Sequence, residues 1–290
     1  MPRICILSPE SSHHLYAPMW PVQARILADA LALAEITPEF VPWIGDPPSG
    51  IDLARYDLVM PLLAWGYHDV PERWCAAIDM WESCGVRLAN PAAVLRWNYQ
   101  KSYLIELAGR GAHVVPTLLT EAIVPSDLTL ARARFGNVEI VAKPVISASA
   151  RGIVRIAPDA SFPDALTGRR MLLQPMQPLI MSEGEYSLFW FAGRYSHAVI
   201  KRPGVNDFRV QPQYGGRDMP ITPPASAIRT AQAALALIES PLLYARIDLV
   251  GDGHGGHAVM EIELIEPQLF LDHAPDRGRL FAESVRMLVA

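Results

Sequence analysis

The apolar positions of the first 90 residues change period in turn. Arg3 to Ser8 is an apolar run of strand length, and Pro21 to Leu33 repeats its apolar residues at helical spacing, with Pro21 suited to a first turn. Glu39 to Trp43 and Tyr56 to Leu62 are short β-rich runs, Pro71 to Ser83 reads as a helix ended by Gly85, and Val86 to Ala89 as a strand closed by Asn90-Pro91. Strand and helix in alternation predict a small parallel, Rossmann-like α/β lobe over residues 1–90.

The texture then changes. Helical Pro91 to Asn98 and Lys101 to Leu107 break at Gly109 and Gly111 and lead into a strand, Val114 to Pro116. Val138 to Lys143 is a strand stopped by Pro144, and the small polar segment Ser147 to Gly152 separates it from another at Ile153 to Ile156. This predicts a strand, flexible loop, strand unit within a second lobe, residues 91–173. Residues 174–290 form a third, with strands at Tyr186 to Ala192 and Tyr195 to Lys201, a helix at Ser226 to Ile238, a hairpin from Tyr244 to Leu264 and a closing helix from Gly278 to Val289. The fold class is α/β with α+β lobes, and no repeat or low-complexity tract interrupts it.

The hairpin carries the most chemistry. Side chains two apart on a strand share a face, so Arg246 and Asp248 point together, as do Glu261 and Glu263, while Ile247, Leu249, Ile262 and Leu264 fill the other face. A turn near Gly255 sets Asp248 opposite Glu261. Three carboxylates on one face repel one another unless cations lie among them, and hard oxygen ligands suit Mg2+. The plainer alternative is a solvated sheet face, with Arg246 its counter-ion.

Composition narrows the partners. With 51% hydrophobic and 19% charged residues the chain is that of an ordinary globular protein, and a net charge of −5 gives no general attraction to nucleic acid or anionic lipid. Three cysteines without a C-x-x-C pair, no apolar leader and no membrane-length run predict a cytoplasmic protein with small-molecule substrates and no disulfide framework. The quaternary state is open, a homodimer included. Of 25 basic residues only Lys101, Lys143 and Lys201 are lysine. If background bias replaces lysine wherever either base serves, the survivors mark sites needing a compact ammonium, as against phosphate oxygens; chance survival is the alternative.

Arg246-Ile247-Asp248, then Glu261-Ile262-Glu263 and Pro267, resemble the R-x-D … E-x-N … P signature of the ATP-grasp ligases, among them glutathione synthetase and D-alanine–D-alanine ligase. The Glu-Ile-Glu form followed by Leu-Ile-Glu-Pro resembles the branch containing O-ureido-serine cyclo-ligases. The resemblance implies an ATP-grasp fold, ATP, and two Mg2+ ions on Asp248, Glu261 and Glu263, with Mn2+ able to replace them. It implies further that Lys101, Lys143 and Lys201 meet phosphates and that the loop with Ser147, Ser149 and Gly152 closes over them. Gln174-Pro175-Met176 would read adenine through backbone groups and Glu185 would hold the ribose. Arg202 and Arg209 would meet the γ-phosphate and an acyl phosphate, and Arg246 an oxyanion. The reaction implied is ADP-forming ligation of a small carboxylate and an amine, or closure of one molecule on itself, with Glu266 holding a substrate amine. Two departures stand out: Glu263 where the family has asparagine, and Ala150 where a glycine is common. These leave a regulatory ATP-binding protein as an alternative; a ligase acting on a protein tail is a further one, to which the net charge and the lack of a docking segment lend no support. His13 and His14 read as a loop that could border a substrate cleft, and His254 and His257 as outer turn residues without a catalytic role.

Overall fold

The computed structural model describes all residues except 1, 11–15, 45–49 and 206, so His13 and His14 lie outside the described residues. Residues up to 90 build a three-stranded parallel sheet from β1 (Ile4–Ser8), β2 (Pro38–Pro42) and β3 (Leu58–Met60), in the order β2-β1-β3. Helices α1 (Trp20–Ala32), α2 (Gly50–Leu53) and α3 (Pro71–Ser83) supply the connections. Strand β1, apolar up to Ser8, is buried throughout, as expected of a strand covered on both faces. Its Ile4 and Ile6 face α1, and Cys5 and Leu7 face Trp74 and Trp81 of α3. Val86 to Ala89, expected as a strand, makes a single bridge from Leu88 to Val59.

Helices α4 (Ala92–Asn98) and α5 (Tyr103–Gly109) lead to a four-stranded antiparallel sheet of β4 (Leu118–Thr120), β5 (Ile140–Pro144), β6 (Val154–Ile156) and β7 (Met171–Pro175), ordered β4-β7-β5-β6. Helix α6 (Pro125–Phe135) backs this sheet, and the two share their own core around Leu128, Ile140 and Met171. The loop between β5 and β6 is the one expected to cover phosphates. Val114, expected in a strand, makes only an isolated bridge to Val259.

The remaining sheet has five antiparallel strands, ordered β10-β9-β8-β11-β12. After the short α7 (Leu179–Ser182) come β8 (Glu185–Phe191), β9 (Arg194–Arg202), β10 (Arg217–Pro220), α8 (Ala225–Leu235), β11 (Tyr244–Gly251), β12 (His257–Glu263) and α9 (Arg279–Val289). One face packs on α5 and α8 through Leu188, Ile247, Leu249 and Ile262. The other meets the N-terminal lobe through Phe189 and Phe191, in a core to which Phe281 of α9 also belongs. Among the described residues no helix is long and apolar enough to cross a membrane, and all three cysteines are free.

Candidate active site

The hairpin pairs Asp248 with Glu261 and Arg246 with Glu263, the register expected from alternation and the glycine-rich turn. A bulge follows Asp248: Leu249 pairs with Val259, leaving Met260 as the extra residue, so Val259 and Ile262 both reach the core. Strand β12 is the edge of its sheet, yet side chains satisfy its outer backbone. The Tyr103 hydroxyl meets both the N–H and the carbonyl of Ile262, at 2.8 and 2.9 Å, and Asn98 bonds the Ile262 carbonyl and the Leu264 N–H. Two acids of the site, Glu261 and Glu263, therefore flank a residue held from outside its own sheet.

Asp248 is 4% exposed and receives three groups. Arg246 donates to it at 2.9–3.2 Å, Lys201 lies 3.5 Å away, and the Ser187 hydroxyl donates from the neighbouring strand. Burial would raise its pKa, but Arg246 and Lys201 win and hold it down to about 2. Arg246 also bonds Glu263 and the Gln268 carbonyl. Glu263 is pushed up to about 7 by burial, with Asp248 and Glu261 adding to the effect against Arg246. Burial likewise pushes Glu266 well up, and Glu263 reinforces it.

The three lysines converge from three directions. Lys101, just ahead of α5, donates to the Ser147 carbonyl at 2.5 Å and pairs with Glu261 at 2.9 Å. Lys201 of β9 pairs with Glu185 at 3.0 Å, across the β8–β9 register. Burial pushes Glu185 up against the pull of Lys201. Lys143 of β5 is 6% exposed and its side chain, among the described residues, has neither an ion pair nor a hydrogen bond; burial pulls it down to about 8. A buried ammonium of this kind calls for an anion from outside the chain.

No three acidic, histidine or cysteine groups converge as a metal cluster among the described residues. Arg246 stands between Asp248 and Glu263, and Lys101 holds Glu261, so protein cations engage the acids that the sequence reading gave to metal. The donor types still fit a hard divalent cation: Asp248, Glu261 and Glu263 share one face of the hairpin, and burial, with Asp248 and Glu261 adding to it, raises Glu263.

Other expected residues are spread around this centre. In the loop after β5, Ser149 and Ala150 take φ of 52° and 57° and Gly152 takes 74°, so two residues with a β-carbon occupy the left-handed region. Gln174 is buried and donates to Thr117 at 2.8 Å, Pro175 accepts from the Gln177 side chain, and the Met176 N–H is taken by the Glu139 carbonyl at 2.8 Å. That N–H is thus engaged within the protein. Arg202 is exposed. Arg209 is turned to Asp207 at 2.7–3.2 Å and lies 3.4 Å over the Tyr214 ring, bonding none of the hairpin acids. His257, expected on the outer turn, is buried against Tyr186 and bonds Ser226. Ser187 escaped the sequence reading, although its spacing from Glu185 places it on the same strand face.

A family model described as the D-cycloserine synthetase DcsG N-terminal domain matches residues 8–90. Over 282 residues the chain is 28% identical to the cycloserine biosynthesis protein DcsG of Streptomyces lavendulae, covering 89% of this chain and 91% of that one. The crystal structure of D-cycloserine synthetase DcsG superposes with a TM-score of 0.83 at 25% identity, over 99% of both chains. ATP-grasp ligase PsnB, complexed with a precursor variant, Mg and ADP, superposes at 0.66 with 14% identity, over 98% of both, a likeness of fold. The chain thus has the ATP-grasp fold and is an ADP-forming carbon–nitrogen ligase, similar along nearly its whole length to the D-cycloserine synthetase DcsG.

Proposed function

We propose that the chain binds ATP with two Mg2+ ions, phosphorylates the carboxylate of a small amino-acid-like substrate, and lets a nitrogen of the same molecule close on the activated carbonyl. The observation that carries this reading is the meeting of Asp248, Glu261 and Glu263 with Arg246 and two of the three lysines, beside the partnerless Lys143. Similarity to cycloserine-forming ligases favours ring closure, with O-ureidoserine as the substrate to try. Three lobes, 1–90, 91–173 and 174–290, divide the work, the nucleotide lying between the second and third, in a cytoplasmic protein.

Lys101, Lys143 and Lys201 set the phosphates, while Glu185 takes the ribose and residues 174–176 border the adenine. Arg202 and Arg209 reach phosphate oxygens when their loop draws in. Asp248, Glu261 and Glu263 would hold Mg2+, which supplies neutralisation of the charge spread over the β- and γ-oxygens. A substrate carboxylate oxygen bonds to the γ-phosphorus as the bond to the β-γ bridging oxygen breaks, leaving ADP. The nitrogen lone pair then attacks the acyl carbon, the carbon–oxygen bond to phosphate breaks, and the proton that the nitrogen gives up leaves on the departing phosphate. Arg246, protonated and aimed by Asp248, steadies the carbonyl oxygen as it becomes an alkoxide. The loop after β5 excludes water, which would otherwise hydrolyse the acyl phosphate.

Asp248→Asn keeps the shape of the side chain and removes its charge. It should lower Mg-dependent ADP release with O-ureidoserine about a hundredfold or more. Undiminished turnover in this variant, measured by coupled ADP assay, would remove the hairpin from the chemistry.

A further inference from the structure

Arg151 stands in the phosphate loop, but its guanidinium leaves that loop for the N-terminal lobe. Its Nη1 lies 3.2 and 3.3 Å from the carboxylate oxygens of Asp69 and 3.4 Å from Nε2 of His68. Both partners sit on one 3-10 turn, Tyr67–Asp69. The His68 side chain is 6% exposed and its ring meets Tyr67 edge-on. A guanidinium donates and never accepts, so the nitrogen facing it is the acceptor and the hydrogen of the neutral ring sits on the other nitrogen, Nδ1. Asp69 also approaches Nε2, at 3.6 Å, beyond hydrogen-bond reach, and its oxygens already face Arg151. Burial lowers the His68 pKa; Asp69 opposes this, and Arg151 and Lys101 add to it, so the ring stays neutral.

Nδ1 is buried and has no hydrogen-bond partner among the described residues. A buried N–H lacking an acceptor is disfavoured, and native structures rarely keep one unless something else fills the place. Through Arg151 the ring lies against the phosphate loop, whose Ser147 carbonyl accepts from Lys101, the lysine paired with Glu261 of the hairpin.

We propose that His68 is a positioning residue whose Nδ1–H donates to an oxygen of the amino-acid-like substrate, and that Arg151 fixes the required tautomer when the phosphate loop lies against the N-terminal lobe. The inference rests on the function proposed above. Substrate binding and loop closure become one event, since the loop's guanidinium presents the donor that the substrate uses. With the loop lifted, the hydrogen is free to move to Nε2 and the donor is lost.

The test is calorimetric titration of O-ureidoserine into protein loaded with Mg2+ and a non-hydrolysable ATP analogue. His68→Ala should weaken substrate binding about tenfold while leaving affinity for the analogue within about twofold. His68→Asn, whose amide nitrogen can stand where Nδ1 stood, should restore most of the loss. Arg151→Met changes an exposed side chain and should weaken the substrate similarly, and the double variant Arg151→Met, His68→Ala should be no worse than His68→Ala alone. Equal binding by wild type and His68→Ala, an asparagine no better than alanine, or additive losses would each overturn the inference with the proposed function intact. Failure of wild type to bind O-ureidoserine while it binds the nucleotide analogue would overturn the substrate assignment and the inference with it.

Discussion

Lys143 is held at a cost to its own charge: burial lowers its pKa to about 8, and the pull of Glu261 is not enough to restore it. A triphosphate beside it would favour the ammonium and raise that pKa again. Near pH 8 roughly half of the unliganded chains carry a neutral Lys143, so nucleotide binding should draw in about half a proton per chain. Well below pH 8 the lysine is already charged and the uptake fades. Calorimetry in buffers of different ionisation enthalpy measures this directly, and Lys143→Met should abolish it. Uptake unchanged in that variant would mean that the proton goes elsewhere. Lys143 also illustrates what a sequence can disclose about one residue: a lysine surviving among many arginines was a reason to look, whereas its lack of a partner is visible only in three dimensions.

Among the elements, the β11–β12 hairpin was the most legible. Alternating acids and aliphatics fix two faces, glycines mark the turn, and together they set the observed pairing of Asp248 with Glu261. The bulge at Met260 left no trace in that pattern, because one extra residue beside the turn changes no composition. Helix α6 was not foreseen since its apolar residues do not form a continuous stripe, although Pro125 in its first turn and Asp127, which accepts the Val124 N–H at 2.8 Å, are ordinary start signals. Strand β10, at a sheet edge and ending in a proline, was likewise missed. The ties that hold β12 in place come from Asn98 and Tyr103, about 160 residues away, and no local pattern encodes such a distance. Tyr103→Phe removes the partner of the buried Ile262 N–H, while the carbonyl keeps Asn98, and should cost about 1–3 kcal/mol of stability in urea unfolding. Because Ile262 lies between Glu261 and Glu263, ADP release should fall by more than the loss of folded protein explains. A variant destabilised yet fully active would show that the acids do not depend on this tie.

For the molecule as a whole, changes of period along the chain predicted three lobes, and the structure holds a parallel sheet, a small antiparallel sheet and a larger antiparallel one, with β7 running from Met171 to Pro175 across the division expected at residue 173. How the lobes meet was not legible. The N-terminal lobe joins the large sheet through a shared core containing Ile6, Phe189 and Phe281, whereas the small sheet keeps a separate core around Ile140 and Met171. The small lobe reaches its neighbours through particular polar contacts, among them the Lys101 N–H to the Val145 carbonyl and Arg151 to Asp69, an arrangement suited to a lobe that moves as a unit.

The central claim is that ATP is used to activate a carboxylate directly. O-ureidoserine labelled with 18O in its carboxylate, incubated with the enzyme and Mg-ATP, tests it most directly. Phosphoryl transfer to that carboxylate and departure of the acyl oxygen with phosphorus should give inorganic phosphate carrying one labelled oxygen. Phosphate formed in step with ADP but free of label would mean that water, and not the substrate carboxylate, receives the phosphoryl group.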